Sequence, residues 1–283
     1  MEKQIYEEKV QPVLVYTDFT ATGNKAVEWA VYMCEKMSRR LILLHVIDRN
    51  TYSLAGNTDP EIFARETISE IRGKIQISTT VKVSTHVEEG CNCTVISKVA
   101  EENDVIFSVV GVHARNDLQY LSGLTAIKMA RRSRIPFLFV QEMTPTPHSL
   151  AKIAFPLNIQ KQMKEKVSWG IFLAKHLHET VEIVLPENDD EVKTNLFFTA
   201  MLFEKLNVSF VQTKINGNIF NVENRALNYT EKNRLLLSVM LMLKGNSVME
   251  SFFGPRELKY VCNRQKMAVF MVNPRKDLYI PCI

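Results

Sequence analysis

The chain has 283 residues, 46% of them hydrophobic and 23% charged, which is the make-up of an ordinary folded protein rather than a disordered or fibrous one. With 35 Lys and Arg against 31 Asp and Glu, the formal charge of +4 is too small and too dispersed to point to nucleic acid. The longest apolar stretches, such as Leu235 to Leu243, stop short of the ~20 residues a membrane span needs; the charged start Met1-Glu2-Lys3-Gln4 lacks the apolar core of a signal peptide, so a cytoplasmic protein is expected.

In chain order, Val13 to Tyr16 is a short apolar strand that ends at Thr17-Asp18. Ala26, Trp29, Ala30, Met33 and Met37 follow at spacings of three and four, the mark of an amphipathic helix. Leu41 to Ile47 is almost wholly apolar, as suits a strand covered on both faces in a parallel sheet. A loop is expected over Asn50, Ser53, Gly56, Asn57 and Asp59-Pro60, then a helix from Glu61 to Ile75, a strand from Val81 to Val87 and a break at Gly90. Thr94 to Glu102 predicts a helix, Asp104 to Gly111 a strand, Gly123 to Arg132 a helix and Pro136 to Val140 a fifth strand. The second half supplies strands at Ile153 to Phe155, Val181 to Leu185, Val208 to Gln212, Leu235 to Met242 and Ala268 to Val272.

The two halves match. Trp29 and Trp169 stand 140 residues apart, and at that offset Val13 to Asp18 faces Ile153 to Asn158, while Leu41 to Leu44 faces Val181 to Val184. One repeat of this length means duplicated domains, not a solenoid. The expected division is a first domain at 1–143, a linker at 144–148 that carries Pro145 and Pro147, and a second domain at 149–283. Strands alternating with helices predict an α/β fold: two tandem Rossmann-like domains, each an open, mainly parallel five-stranded sheet with helices on both faces and its own core.

Five scattered cysteines, Cys34, Cys91, Cys93, Cys262 and Cys282, do not make a disulfide framework, and Cys91-Asn92-Cys93 lacks the second pair a metal site wants. Arg131, Arg132 and Arg134 read as cations complementing a helix end. Trp29 and Trp169 read as core anchors, and Met240 and Met242 as core filling. His176 and His178, two apart on a helix, cannot chelate one metal together. There is no G-x-S-x-G, zincin pair or Walker loop, so no catalytic machinery is visible.

An open α/β sheet places ligands beyond the carboxyl ends of its strands. The loops that matter in the first half are Thr17-Asp18-Phe19-Thr20, the residues around His45 to Asp48, and Gly111 to Ser122 leading into a helix at Gly123, whose free amides suit an anion. His45 reads as a satisfied, partly buried residue, and His113 as a general acid, a phosphate contact or a solvated loop side chain.

These residues carry a family resemblance. Val13 to Phe19, the strand ending in His45-Val46-Ile47, and Gly111-Val112-His113 through Gly123 to Val140 resemble a universal stress protein domain, and Gly254-Pro255 with Phe270 to Pro274 resemble the closing segment of a second copy. The chain is thus identified as the tandem type. The resemblance implies an adenine nucleotide such as ATP, with magnesium only in its company. It places Asp18 on the ribose side, the Val46 backbone at adenine, and Gly111, Val112, His113 and Gly123 around the phosphates, and Thr17, Phe19, Arg115, Leu124 and Thr125 complete the candidate site.

The sequence departs from that family's G-x-x-G and G-[ST] pattern at Ala114 and Leu124. Each departure weakens the cradle by roughly 1 kcal/mol or a few, and two together take a micromolar site toward millimolar. Arg115 offers compensation through its planar fork. In the second half Asn158 replaces the acid, and a nucleotide is not expected there. The expectation is a stress-response protein that acts by binding, without catalysis; a nucleotide-free scaffold for protein partners and a slow ATPase are the alternatives. No membrane and no nucleic acid partner is expected. The fifth strands, Pro136 to Val140 and Ala268 to Val272, are expected to join the halves as a pseudo-dimer, and association of two chains stays open.

Overall fold

The structure is a computed structural model that describes residues 10–113, 121–148, 152–158, 163–187, 192–216, 221–242 and 255–274. The first half runs β1 (Val13–Tyr16), α1 (Ala21–Met37), β2 (Leu41–Ile47), α2 (Arg49–Ala55), α3 (Pro60–Ser78), β3 (Val83–Glu89), α4 (Asn92–Glu102), β4 (Phe107–Gly111), α5 (Gly123–Arg132) and β5 (Phe137–Val140). The second runs β6 (Lys152–Pro156), α6 (Met163–Leu177), β7 (Thr180–Pro186), α7 (Lys193–Lys205), β8 (Phe210–Ile215), α8 (Val222–Lys232), β9 (Leu237–Leu241), α9 (Leu258–Val261) and β10 (Ala268–Val272).

All ten strands lie in one sheet, ordered β3-β2-β1-β4-β5-β10-β9-β6-β7-β8. Every neighbouring pair is parallel except β5 and β10, which join the halves antiparallel with Phe139 opposite Val269 and Leu138 opposite Phe270. The expected pairing of fifth strands is therefore found. β1, β2, β4, β5, β9 and β10 are buried along their whole length, as strands with helices on both faces must be.

Two expectations are corrected. A separate core for each half does not form, because the continuous sheet lets the packing on each face run through both halves. On one face Trp29 and Met33 of α1 share a cluster with Trp169 and Phe172 of α6, and Phe107 meets Phe270 edge-on at 5.4 Å across the central strands. On the other, Ile96 of α4 and Ile127 of α5 pack in one cluster with Met240, Tyr260 and Val261 of the second half. The loop expected after Ile47 is also wrong in part, since it contains α2. Asp48 accepts from the amides of Asn50 and Thr51 while the Thr51 hydroxyl accepts from the Asp48 amide, a capping box. This helix buries only Thr51 and Ala55, so it carries no apolar period to read.

Polar contacts fasten the halves. Arg131 donates to both carboxylate oxygens of wholly buried Glu257 at 2.9 Å. Asn273 caps the end of α5 by donating to the carbonyls of Ala130 and Ser133. The stretch joining the halves is pinned to α1: the Trp29 indole donates to the Pro145 carbonyl at 3.1 Å, and Thr146 accepts from Lys25. The Thr144 side chain is buried.

Candidate functional site

Strand order in the first half reverses between β1 and β4, since β2 and β3 lie to one side and β5 to the other. In an open sheet of this kind the ligand crevice is expected at the carboxyl ends beside that switch point. Asp18 leaves β1 there and His113 leaves β4, and Asp18 Oδ2 lies 3.0 Å from His113 Nε2. Nδ1 of His113 is 3.5 Å from the Thr22 hydroxyl in the first turn of α1. The other Asp18 oxygen accepts from the Thr20 amide at 3.1 Å and the Thr20 hydroxyl at 2.5 Å.

Asp18 is 6% exposed. Burial alone would raise its pKa, but the hydrogen bonds from His113 and Thr20 outweigh it and hold the carboxyl below its ordinary range. Two glycines permit the close approach. A Cβ on Gly23 would stand 2.5 Å from Asp18 Oδ1, and one on Gly111 would stand 2.6 Å from the Thr22 carbonyl. Thr20 fixes the helix start by accepting from the Gly23 amide as the N-cap of α1.

Next to this pair, Phe19 adopts a left-handed φ of 62° and stacks on His45, with centroids 3.9 Å apart and planes within 15°. His45 is buried, its Nδ1 2.8 Å from the Thr17 carbonyl and its Nε2 2.9 Å from the Thr51 hydroxyl. A carbonyl only accepts, so Nδ1 carries the proton, and burial lowers the ring pKa toward the neutral form. The reading of His45 as a satisfied residue holds. Leu44 turns its carbonyl toward β1, where the Thr17 amide donates to it at 2.9 Å, while Ile47 turns its own toward β3, where it accepts from Gly90. Strand alternation therefore aims the Val46 backbone at the gap past the end of β1.

The residues assigned to the phosphates fare differently. The Val112 amide donates to the Val140 carbonyl and its side chain is buried, so it continues the sheet. The His113 amide donates to the Leu121 carbonyl, and a bridge of His113 with Ser122 brings the two ends of the loop together. Arg115 and Ala114 lie outside the described residues. Ser122 caps α5 and accepts from the Thr125 amide, Thr125 points its hydroxyl back to Ser122 at 3.0 Å, and Leu124 is half-buried. A Cβ on Gly123 would meet Cys262 Sγ at 2.4 Å and Leu258 at 2.7 Å, so packing against the second half is what requires this glycine.

At the equivalent switch point of the second half, between β6 and β9, buried polar groups of the described residues bond to one another. Asn158 and the Tyr260 hydroxyl each donate to buried Glu223 at 2.9 Å. Lys166, wholly buried, donates to the Pro156 carbonyl and lies 4.6 Å over the Phe155 ring. Burial draws its pKa down to about 8, with Glu223 opposing. The sequence reading missed Lys166 and Glu223 here, and Thr22 and Gly23 in the first half, and it named Thr20 in its loop without giving it a role. Thr20 carried a signal, a threonine just before an amphipathic run.

The fold defines a tandem α/β protein built on one ten-stranded, mainly parallel sheet flanked by helices. Residues 9–141 match the model of the universal stress protein family. A universal stress protein from Archaeoglobus fulgidus DSM 4304 is similar in structure, with a TM-score of 0.74 at 16% identity over 94% of this chain and 100% of that one. A putative universal stress protein from Pseudomonas aeruginosa UCBPP-PA14 has a TM-score of 0.59 at 13% identity over 94% of each chain. No curated protein matches the chain by sequence. The first half thus carries the family match, and the chain as a whole shares the fold of the Archaeoglobus fulgidus protein. Among the described residues no helix is long and apolar enough to cross a membrane.

Proposed function

We propose that the first half binds an adenine nucleotide at the switch point between β1 and β4, and that the protein acts in a stress response by binding, without turnover, in the cytoplasm. The observation that carries this reading is the meeting of Asp18 and His113 at that switch point, beside a Val46 backbone aimed at the same gap. In this reading Asp18 exchanges His113 for the ribose hydroxyls, and the Val46 amide and carbonyl serve the edge of the base. These residues fit a nucleoside better than its phosphates, because packing already accounts for Gly111 and Gly123 and a backbone bond for the Val112 amide. The expected affinity is accordingly weak, and magnesium would enter only with the nucleotide.

Calorimetry with ATP and AMP, together with native mass spectrometry of protein purified without ligand, tests it. Saturable heat lost in Asp18→Lys supports the site. Absence of heat at millimolar nucleotide rejects it and leaves the scaffold reading, which the accounted-for glycines favour. ATP turnover that follows Asp18 and His113 through substitution would overturn the non-catalytic part.

A further inference from the structure

β3 leads through Gly90 into α4 with the run Cys91-Asn92-Cys93. Gly90 has a φ of 151°, which L side chains rarely adopt, so a glycine makes the turn that delivers Cys91 to the helix start. Cys91 is the N-cap of α4 with extended backbone (φ −84°, ψ 124°), and its side chain makes no cap hydrogen bond. It is an exposed free thiol. Cys93, also free, is half-buried and donates to the Thr125 carbonyl in the first turn of α5, with Sγ 3.8 Å from the oxygen.

In a helix interior, residues two apart point to opposite sides. A helix cap is different, because the N-cap side chain lies over the open end, where a serine would reach the second or third helical residue. Here the second helical residue is Cys93. Helical geometry sets Cα atoms two residues apart at about 5.4 Å, inside the span of roughly 4.4 to 6.8 Å that a disulfide bridges. The two thiols also sense each other: after burial, Cys91 is the next influence pushing the Cys93 thiol up to about 11.

We infer that Cys91 and Cys93 are a two-electron redox pair that closes to an intrachain disulfide on reaction with a hydroperoxide. The exposed Cys91 thiolate attacks the peroxide O–O bond, which breaks to give Cys91 sulfenic acid and one water (or alcohol). The Cys93 sulfur then displaces the sulfenic hydroxyl. The S–S bond forms, the S–O bond breaks, and a second water leaves with the Cys93 proton. The two sulfurs together lose two electrons and the peroxide oxygens gain them; a dithiol reverses the reaction by exchange. Exposure suits Cys91 to attack, and its place beside Cys91 suits Cys93 to resolve; because burial holds the Cys93 thiol up at about 11 and the thiolate is the nucleophile, the resolving step is slow and speeds up as pH rises. Closure removes the hydrogen that Cys93 gives to Thr125, so one contact between α4 and the first turn of α5 is lost. This inference does not depend on the nucleotide reading.

The test treats the reduced full chain with a few equivalents of hydrogen peroxide, blocks remaining thiols, and maps them by mass spectrometry. The expected product is a peptide lacking two hydrogens across residues 91–93, restored by dithiothreitol and absent in both Cys91→Ser and Cys93→Ser. Dimedone should label Cys91 only in Cys93→Ser. Serine is itself a good cap and position 91 is exposed, so an unchanged melting temperature of reduced Cys91→Ser separates loss of the bridge from loss of the fold. Three results would each overturn the proposal: a chain-to-chain disulfide as the main product, overoxidised Cys91 beside a still alkylatable Cys93, or a soft metal copurifying on the two sulfurs.

Discussion

Asp18 Oδ2 and His113 Nε2 stand 3.0 Å apart and tie together loops 95 residues distant in the chain. The contact lies at the point where strand order reverses, at the carboxyl ends of β1 and β4.

Acid stability should report this contact. The folded pKa of Asp18 lies below its unfolded value, so the folded state binds fewer protons there at low pH. The stabilisation is therefore present above about pH 4 and lost as pH falls through the folded value. Urea midpoints of the wild type should drop more steeply below pH 4 than those of Asp18→Asn. Parallel curves would mean that Asp18 is not held as described.

Gly23 and Gly73 should respond to alanine with opposite signs. At Gly23 the new methyl meets Asp18 Oδ1 at 2.5 Å and Thr17 Oγ1 at 2.9 Å, whereas a Cβ at Gly73 in α3 meets nothing within 4 Å. Gly23→Ala is expected to cost about 1–3 kcal/mol, and Gly73→Ala to gain up to about 1 kcal/mol from helix propensity. Denaturant unfolding of the two variants decides it, and a silent Gly23→Ala contradicts the tight approach of Asp18 to α1.

Arg131→Met strips the guanidinium from Glu257, whose carboxylate has no exposure to water. Breaking a buried pair from one side typically costs about 3–5 kcal/mol. Because this pair joins the halves, the loss should appear as a lower cooperative unfolding midpoint for the whole chain. Replacing both partners, as Arg131→Met with Glu257→Leu, should recover much of it.

Ser108 in β4 and Ser238 in β9 are both buried with hydroxyls that find no partner among the described residues. An unsatisfied buried hydroxyl carries a desolvation cost, so Ser238→Ala should be neutral or stabilising by about 1 kcal/mol. A fall in melting temperature would indicate a water bonded at that oxygen.

The sequence by itself determined the strands, because apolar runs such as Val13–Tyr16 and Ala268–Val272 and the helix Gly123–Arg132 are patterned by local burial alone. The repeat at Trp29 and Trp169 and the family motifs around Asp18 and Gly111 were legible for the same reason: each lies within a short stretch of chain. Helix α2 was not, since a seven-residue helix that buries two side chains leaves no period to detect. Only the tertiary structure decided what those motifs are used for. Gly123 reads as a phosphate glycine, yet it is Cys262 and Leu258 from the second half that need its missing side chain. Lys166 reads as one more charge on a helix, yet it lies wholly buried on the Pro156 carbonyl at the second switch point, near the Glu223 carboxylate that accepts from Asn158 and Tyr260. Such assignments rest on which strands become neighbours. The antiparallel meeting of β5 with β10 fixes that for the whole sheet and merges two domains into one pair of cores.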